Sequence, residues 1–348
     1  MGKLRIYYSG QSPDHSHPAD RRRIVYWAQS RGHVLVGKFD SPDLVVLTSR
    51  SNFSHWTNGK NRIPFVLDLI DGYLGKTPTS IDYARGFSKT LTNQISGKPR
   101  RFTHTIQSVC EKASVVICET VEQREQILSF NPKVFPILDF HEEFPFVEKE
   151  IGLSEKPPII FWEGLPYTAS GINLCSQALY KMKKKYDAKF LMVTDAHYKK
   201  VLGAYISRPT LKLVKQIQLG LKSNLEFRNW SLEEVIASSR RSTVGILPIN
   251  SKSHLSKYKA ENRMLIMWRL GLPVLASPTL AYNRVMNEVG LLGICNDENE
   301  WTIKLEKILN DKEELQRNVR LGQDYIKRFH SKEETLRKWD FAIESAFN

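Results

Sequence analysis

In the stretch KYKAENRMLIMWRLGLPVLAS (257–277), Lys257, Lys259, Asn262 and Arg263 stand directly ahead of a short apolar run. Met264, Leu265, Met267, Trp268 and Leu270 make that run apolar on more than one side. This predicts a largely buried helix over 261–270, stopped by Gly271. A buried helix has unbonded N–H groups and a partial positive charge at its start. Cations there fail to complement the dipole, at a cost of a few tenths to ~1 kcal/mol per charge. An anion removes that cost, so the residues point to a phosphate group, as in a diphosphate. A solvated first turn is the alternative they leave open.

A second group lies in SGQSPDHSHPAD (9–20), a loop after the first predicted strand that carries Asp14, His15 and His17. Any of these could take the proton of a hydroxyl, histidine having a pKa near ~6.5. A plain polar turn explains them equally well, and as metal ligands they would be only a fragment of a site. VLDLIDGY (66–73) adds Asp68 and Asp71 at a strand end. Asp71-Gly72 is also a turn signal, so one carboxylate is expected to be structural. Asp71, nearer the carboxyl edge, is the catalytic candidate. No DxD-type Mg²⁺ motif is present, so we expect no metal and no other cofactor, cationic side chains doing the metal's electrostatic work. No GxSxG, Walker A, HExxH or tight GxGxxG motif is present either.

These groups need a scaffold. In the first half, apolar runs at 4–10, 34–39, 43–49, 64–71, 113–120 and 133–140 alternate with helical stretches. One helix is expected over PADRRRIVYWAQSRGH, with Pro18 in its first turn and Gly32 as its stop, and a helix-leaning region over 77–111. HEEFPFVEKEIGLSEKPP (141–158) has no period and reads as a linker. The rhythm then restarts, with strands expected at 159–164, 188–195, 225–230, 244–249, 272–277 and 290–296. Helices are expected over SGINLCSQALYKMKKKY, from HYKKVL onward, and over SLEEVIASS, capped by Ser231 with Glu234 three residues on. Strands separated by helices imply parallel sheets. Two such domains would set two rows of strand ends across a cleft, where ligands bind.

With 348 residues, two domains are expected. Lys and Arg exceed Asp and Glu by 51 to 37, a net +14 that suits polyanions. The basic runs RRR (21–23), KPRR (98–101) and KMKKK (181–185) are short and separated, without a nucleic-acid signature. They read as solvated helix faces whose sum would favour an anionic membrane surface. Cys110, Cys118, Cys175 and Cys295 are scattered, as in a reducing compartment. No apolar run approaches the ~20 residues of a membrane span, and neither a secretory leader nor a lipid anchor is expected.

KAENRMLIMWRLGLPVLASPTLAY resembles the donor-site helix and strand of the GT-B glycosyltransferases of the broad group 1 class. FWEG, LEFRNWSLEEVIASS, VGILPI and VRLGQDYIKRFHSKEETLRKW extend the likeness over roughly 155–340. VLDLIDGYL and ASVVICETVEQREQIL are looser matches in the first half. The resemblance implies that Lys259, Asn262 and Arg263 hold the donor diphosphate, with Gly164 and the loop 165–171 beneath it. It also implies that Asn229, Trp230 and Ser231 line the base pocket and that Pro248 and Asn250 lie near the ribose. The class's pair of glutamates with seven residues between them is absent, Tyr258 and Ile266 standing in the corresponding places. The Arg and Lys common after the first strand are also missing from EGLPYTASG.

The expectation is an α/β chain of GT-B fold, two Rossmann-like doubly wound domains facing a central cleft. Residues 1–145 would bind the acceptor and 155–330 the nucleotide-sugar donor, with a helix over 331–348 packing back toward the first domain. The activity implied is transfer of a hexosyl or related unit to a hydroxyl of a glycan or lipid-linked acceptor, in cell-surface polysaccharide assembly. The expected place is the cytoplasm, peripheral at the inner face of the membrane. Alternatives are a sugar-nucleotide-modifying enzyme of the same fold and a non-catalytic basic module for nucleic acid or membrane.

Overall fold

The apolar runs of the first half form one parallel sheet. Its strands are β1 (Arg5–Ser9), β2 (Val34–Val36), β3 (Leu44–Thr48), β4 (Phe65–Leu69), β5 (Val115–Cys118) and β6 (Val134–Pro136), in the order β2-β1-β3-β4-β5-β6. Every residue of β3, β4 and β5 is buried, as unalternating Val, Ile and Leu runs require when both faces are covered. Val45 and Leu47 point into the core that contains Ile106 and Val109 of helix Phe102–Lys112 and Ile127 of helix Val121–Ile127. Leu44 and Val46 point the other way, into a core shared with helices Ile24–Ser30 and Lys332–Glu344.

The second half repeats the plan in this computed structural model, which describes residues 2–57, 62–74, 80–95, 98, 100–148, 157–200, 203–214, 224–251 and 254–348. Here the strands are β7 (Ile159–Glu163), β8 (Lys189–Val193), β9 (His197–Lys200), β10 (Gly203–Pro209), β11 (Leu225–Arg228), β12 (Val244–Leu247) and β13 (Val274–Ala276). Five of them form a parallel sheet ordered β11-β8-β7-β12-β13. Helices Ser176–Tyr186 and Glu298–Asn310 contribute Leu179, Met182, Trp301 and Leu305 to its core.

By contacts the chain forms two units. The first comprises Met1–Glu142, Tyr258–Ala260 and Phe329–Asn348, and the second Glu143–Lys257 and Glu261–Arg328. Within the first unit, the Tyr258 carbonyl accepts from Gln123 Nε2 at 3.5 Å. Leu336, Trp339, Ala342 and Ile343 of the last helix belong to the first unit's core.

Several local expectations change. The helix expected over 18–33 breaks into Pro18–Arg21 and Ile24–Ser30, because Arg23 adopts φ −123° and ψ −113° and turns inward. Arg22 and Arg23 are buried, so RRR is not a solvated face. In the region from HYKKVL, His197–Lys200 and Gly203–Pro209 are the antiparallel strands β9 and β10 rather than a helix and Thr210–Val214 is a 3₁₀ turn, while 201–202 and 215–223 lie outside the described residues. Tyr198, Tyr205 and Ile206 around Gly203 are strand and turn formers that outweigh the lysines. SGINLCS begins as a 3₁₀ stretch, Pro166–Cys175, before the helix. GLLGICN forms only a single bridge, from Ile294 to Ala276. In the expected linker, Phe144 is buried and its carbonyl accepts from Arg269 Nε at 2.7 Å, while 149–156 lie outside the described residues. All four cysteines are free and buried, and burial pushes the Cys110 and Cys295 thiols up to about 12. Among the described residues no helix is long and apolar enough to cross a membrane.

Candidate functional site

In the second unit, strand order reverses at β7, with β8 and β11 on one side and β12 and β13 on the other. Such a reversal opens a crevice outside the carboxyl ends of the strands. β7 ends there at Glu163, followed by Gly164. A Cβ on Gly164 would stand 2.6 Å from Arg263 Nη1 and 3.0 Å from Thr168 Oγ1. Glycine therefore lets the guanidinium descend onto the strand end, where Nη1 donates to the Glu163 carbonyl at 3.1 Å. The Glu163 side chain accepts from Trp230 Nε1 at 3.0 Å. Gly164, Trp230 and Arg263, singled out in the sequence, thus meet through Glu163, which was passed over inside FWEG.

Pro248 follows β12 and is buried, its carbonyl pressed against Gly171. Asn250 is exposed two residues further on. By strand register Trp162, Gly164 and Thr194 project to the same side of the sheet. Trp162 Nε1 and Thr194 Oγ1 are buried there without a hydrogen-bond partner among the described residues.

The helix mouth differs from its sequence portrait. Glu261 holds the N-cap position of helix Asn262–Arg269 without a side-chain capping bond; it is buried and accepts from Arg284 Nη2 at 2.8 Å. A carboxylate already complements the dipole, so the case for an anion here rests on Arg263 rather than on a knot of cations. Asn262 is half-buried in the first turn, and Lys257 is exposed at the end of the short helix His254–Lys257. Lys259 belongs to the first unit, whereas the other three belong to the second.

In the first unit, order reverses between β1 and β3, and the loop bearing Asp14, His15 and His17 leaves from that point. Fully buried Asp20 ties the loop down, accepting from Tyr8 Oη (2.5 Å), Gln11 N (2.7 Å) and Ser12 N (2.9 Å). Asp14 is exposed, and hydrogen bonds from Ser16 hold its carboxyl below the usual range. His15 adopts φ 58° with its ring 5.1 Å from that of Tyr8. His17 caps helix Pro18–Arg21, Nδ1 accepting from Ala19 N at 3.2 Å. That bond leaves Nε2 as the nitrogen that carries hydrogen, and burial lowers the ring's pKa. Asp71 accepts from Tyr73 Oη at 3.1 Å. Asp68 is structural, gripped by Arg23 through Nη2 at 2.6 Å and Nε at 3.0 Å.

Two residues of this unit escaped the sequence reading. Gln11 is buried beside the β1 end, and its Nε2 has no hydrogen-bond partner among the described residues. Glu119, the residue after β5, is buried, and its carboxyl is pushed up to about 8. Burial is the main cause, Asp139 and Asp71 add to it, and Arg23 and Lys259 oppose it. The fold thus favours the protonated form. Its contribution is full below the ordinary value of 4.5 and is lost as pH rises through about 8. In Glu119→Gln the decline of the urea midpoint over that window should flatten, by up to ~1.4 kcal/mol per pH unit. An unchanged profile would mean that the carboxyl titrates as in water.

No protein-family model and no curated protein sequence matches the chain, but solved structures do. TarM superposes with a TM-score of 0.62 at 14% identity, over 86% of this chain and 54% of TarM. The chain therefore spans about half of that protein. A point mutant of S. aureus TarM was solved with fondaparinux, alpha-GlcNAc-glycerol and UDP. WaaG, a glycosyltransferase involved in lipopolysaccharide biosynthesis, matches at 0.58 and 12% identity, over 97% of this chain and 98% of its own. A glycosyltransferase from Rickettsia africae matches at 0.63 and 12% identity over the whole of both chains. With its two parallel-sheet units and these likenesses, the chain has the GT-B fold of those glycosyltransferases.

Proposed function

We propose that the protein is a glycosyltransferase whose second unit binds a nucleotide-sugar and whose first unit binds a hydroxyl acceptor. One observation carries this reading: the Arg263 guanidinium rests on the Glu163 carbonyl, against Gly164, at the switch point of the second sheet. A fixed cation at a crevice of this kind suits a departing diphosphate. As the glycosidic bond breaks, negative charge gathers on the leaving oxygen, and Arg263 stabilises it more in the transition state than in the bound donor. Asn262 in the first helical turn adds a hydrogen-bond donor, and Lys257 of the same unit adds charge. Trp230 offers a surface for the base, Pro248 and Asn250 border the ribose, and no metal is needed.

The acceptor's proton goes to a group in the first unit. Glu119 does not suit that role at neutral pH, since burial pushes its carboxyl up to about 8 and keeps it mostly protonated. Asp14, His15, His17 and Asp71 are the loop and strand-end candidates. A glycan or lipid-linked acceptor in cell-surface polysaccharide assembly, at the inner face of a membrane, suits the net charge of +14 and the likeness to WaaG. A thermal-shift panel of UDP, GDP and CMP tests the reading. A nucleotide present at 100 times its Kd adds about 2.7 kcal/mol, so one of the three should raise the melting temperature by several degrees. A flat response to all three would overturn the donor site.

A further inference from the structure

We propose that the exposed face of helix Ser80–Leu91 is a docking surface for an anionic lipid bilayer. Tyr83, Phe87 and Leu91 recur at every fourth position and are 50%, 52% and 67% exposed. That spacing lines them along one side of the helix, where their exposed neighbours are Ala84 and Ser88. The helix's acid, Asp82, is buried on the other side and accepts from Thr103 N at 3.2 Å and Thr103 Oγ1 at 2.9 Å.

Cations border the stripe. The Arg101 guanidinium lies 4.6 Å from the Tyr83 ring centroid. The Arg100 carbonyl packs against Gly86 in mid-helix while its side chain is exposed, as is that of Lys98. A cavity of about 220 Å³ shares Arg100 and adds Lys112, Thr105 and Ser108 to its lining. Cations and hydroxyls together suit the phosphate of a lipid headgroup. Aromatic and leucine side chains that enter the acyl boundary, with cations beside them that meet headgroups, are what interfacial binding requires. A protein partner would have to be both apolar and acidic along one narrow strip, whereas an anionic bilayer offers both layers everywhere. The surface deepens the proposed function by showing where a lipid-linked acceptor would be met, yet binding is measurable without any transfer.

Co-sedimentation of the full chain with phosphatidylcholine vesicles, with and without phosphatidylglycerol, tests it. The protein should pellet with the mixed vesicles and much less with the neutral ones. Tyr83→Ser/Phe87→Ser/Leu91→Ser should weaken binding about tenfold or more. Lys98→Ser/Arg100→Ser should weaken it by about fivefold per charge and flatten its salt dependence. Melting temperatures should not change, because the side chains are exposed. No pelleting with mixed vesicles, or equal pelleting of the triple variant, would overturn the proposal. So would self-association that the triple variant abolishes while vesicles bind neither form. Vesicle binding that persists in a protein showing no nucleotide response would count against the transferase reading and leave this surface standing.

Discussion

Arg263→Ala is expected to lower the rate of glycosyl transfer by at least ~100-fold, as loss of one preorganised donor to developing negative charge does elsewhere. The fold should survive. Arg263 is half-buried, and its hydrogen bond to the Glu163 carbonyl is worth only ~1 kcal/mol. Melting temperature and transfer rate therefore separate: a small change in the first and a large one in the second. Gly164→Ala should act in the same direction and more weakly, because the new methyl would stand 2.6 Å from Nη1 and push the flexible guanidinium aside. Both are checked by donor-hydrolysis or transfer rates with the responsive nucleotide's sugar. Full activity in Arg263→Ala would remove it from the site.

The largest expected stability effect lies in the first unit, at the break between its first two helices. Arg23 and Asp68 are both buried, 0% and 1% exposed at the side chain, and bonded at 2.6 Å. Arg23 Nη1 also donates to the Ile137 carbonyl at 2.5 Å and reaches Asp139 at 3.5 Å. Burial pushes the Asp68 carboxyl up, and the Arg23 guanidinium opposes that rise. Asp68→Ala should cost about 3–5 kcal/mol, since it strands a buried cation. Arg23→Met/Asp68→Leu should cost less than either single change, because neither member of the pair is left charged without the other, although Asp139 loses its contact with Arg23. Urea denaturation checks this. By contrast Arg31 and Asp340, also at 2.6 Å but 38% and 29% exposed, should contribute no more than ~1 kcal/mol. A loss of similar size at both pairs would refute the argument from burial.

How much of this was legible in the residues depended on whether the deciding neighbours were close in sequence. Buried parallel strands are continuous apolar runs, so β3, β4, β5, β7, β8 and β12 announce themselves. The helix at 262–269 is equally plain, because Met264 to Trp268 is an unbroken apolar run. Arg263 was found from the charge ahead of the apolar run and Gly164 through the resemblance, but their meeting joins residues a hundred positions apart. Glu163, Glu119 and Gln11 were missed for one reason. A lone polar residue at or after a strand end reads as surface until the surrounding chain covers it wholly or in part. Glu261 was overlooked because three cations nearby dominated the stretch, although its place before the helix is where a capping acid belongs. RRR misled because helix periodicity does not reveal a backbone break, and that break brings Arg23 to Asp68.

The chain passes between its two units four times, at 142/143, 257/258, 260/261 and 328/329. Recombination at the first junction alone would therefore give a hybrid whose leading half has lost its own Leu336, Trp339 and Ile343 and received a stranger's. For the first unit to be inherited or grafted intact, Phe329–Asn348 and the tripeptide Tyr258–Ala260 must travel with the leading segment. Sequence drift in the tail should accordingly track the beginning of the chain more closely than the stretch it directly follows.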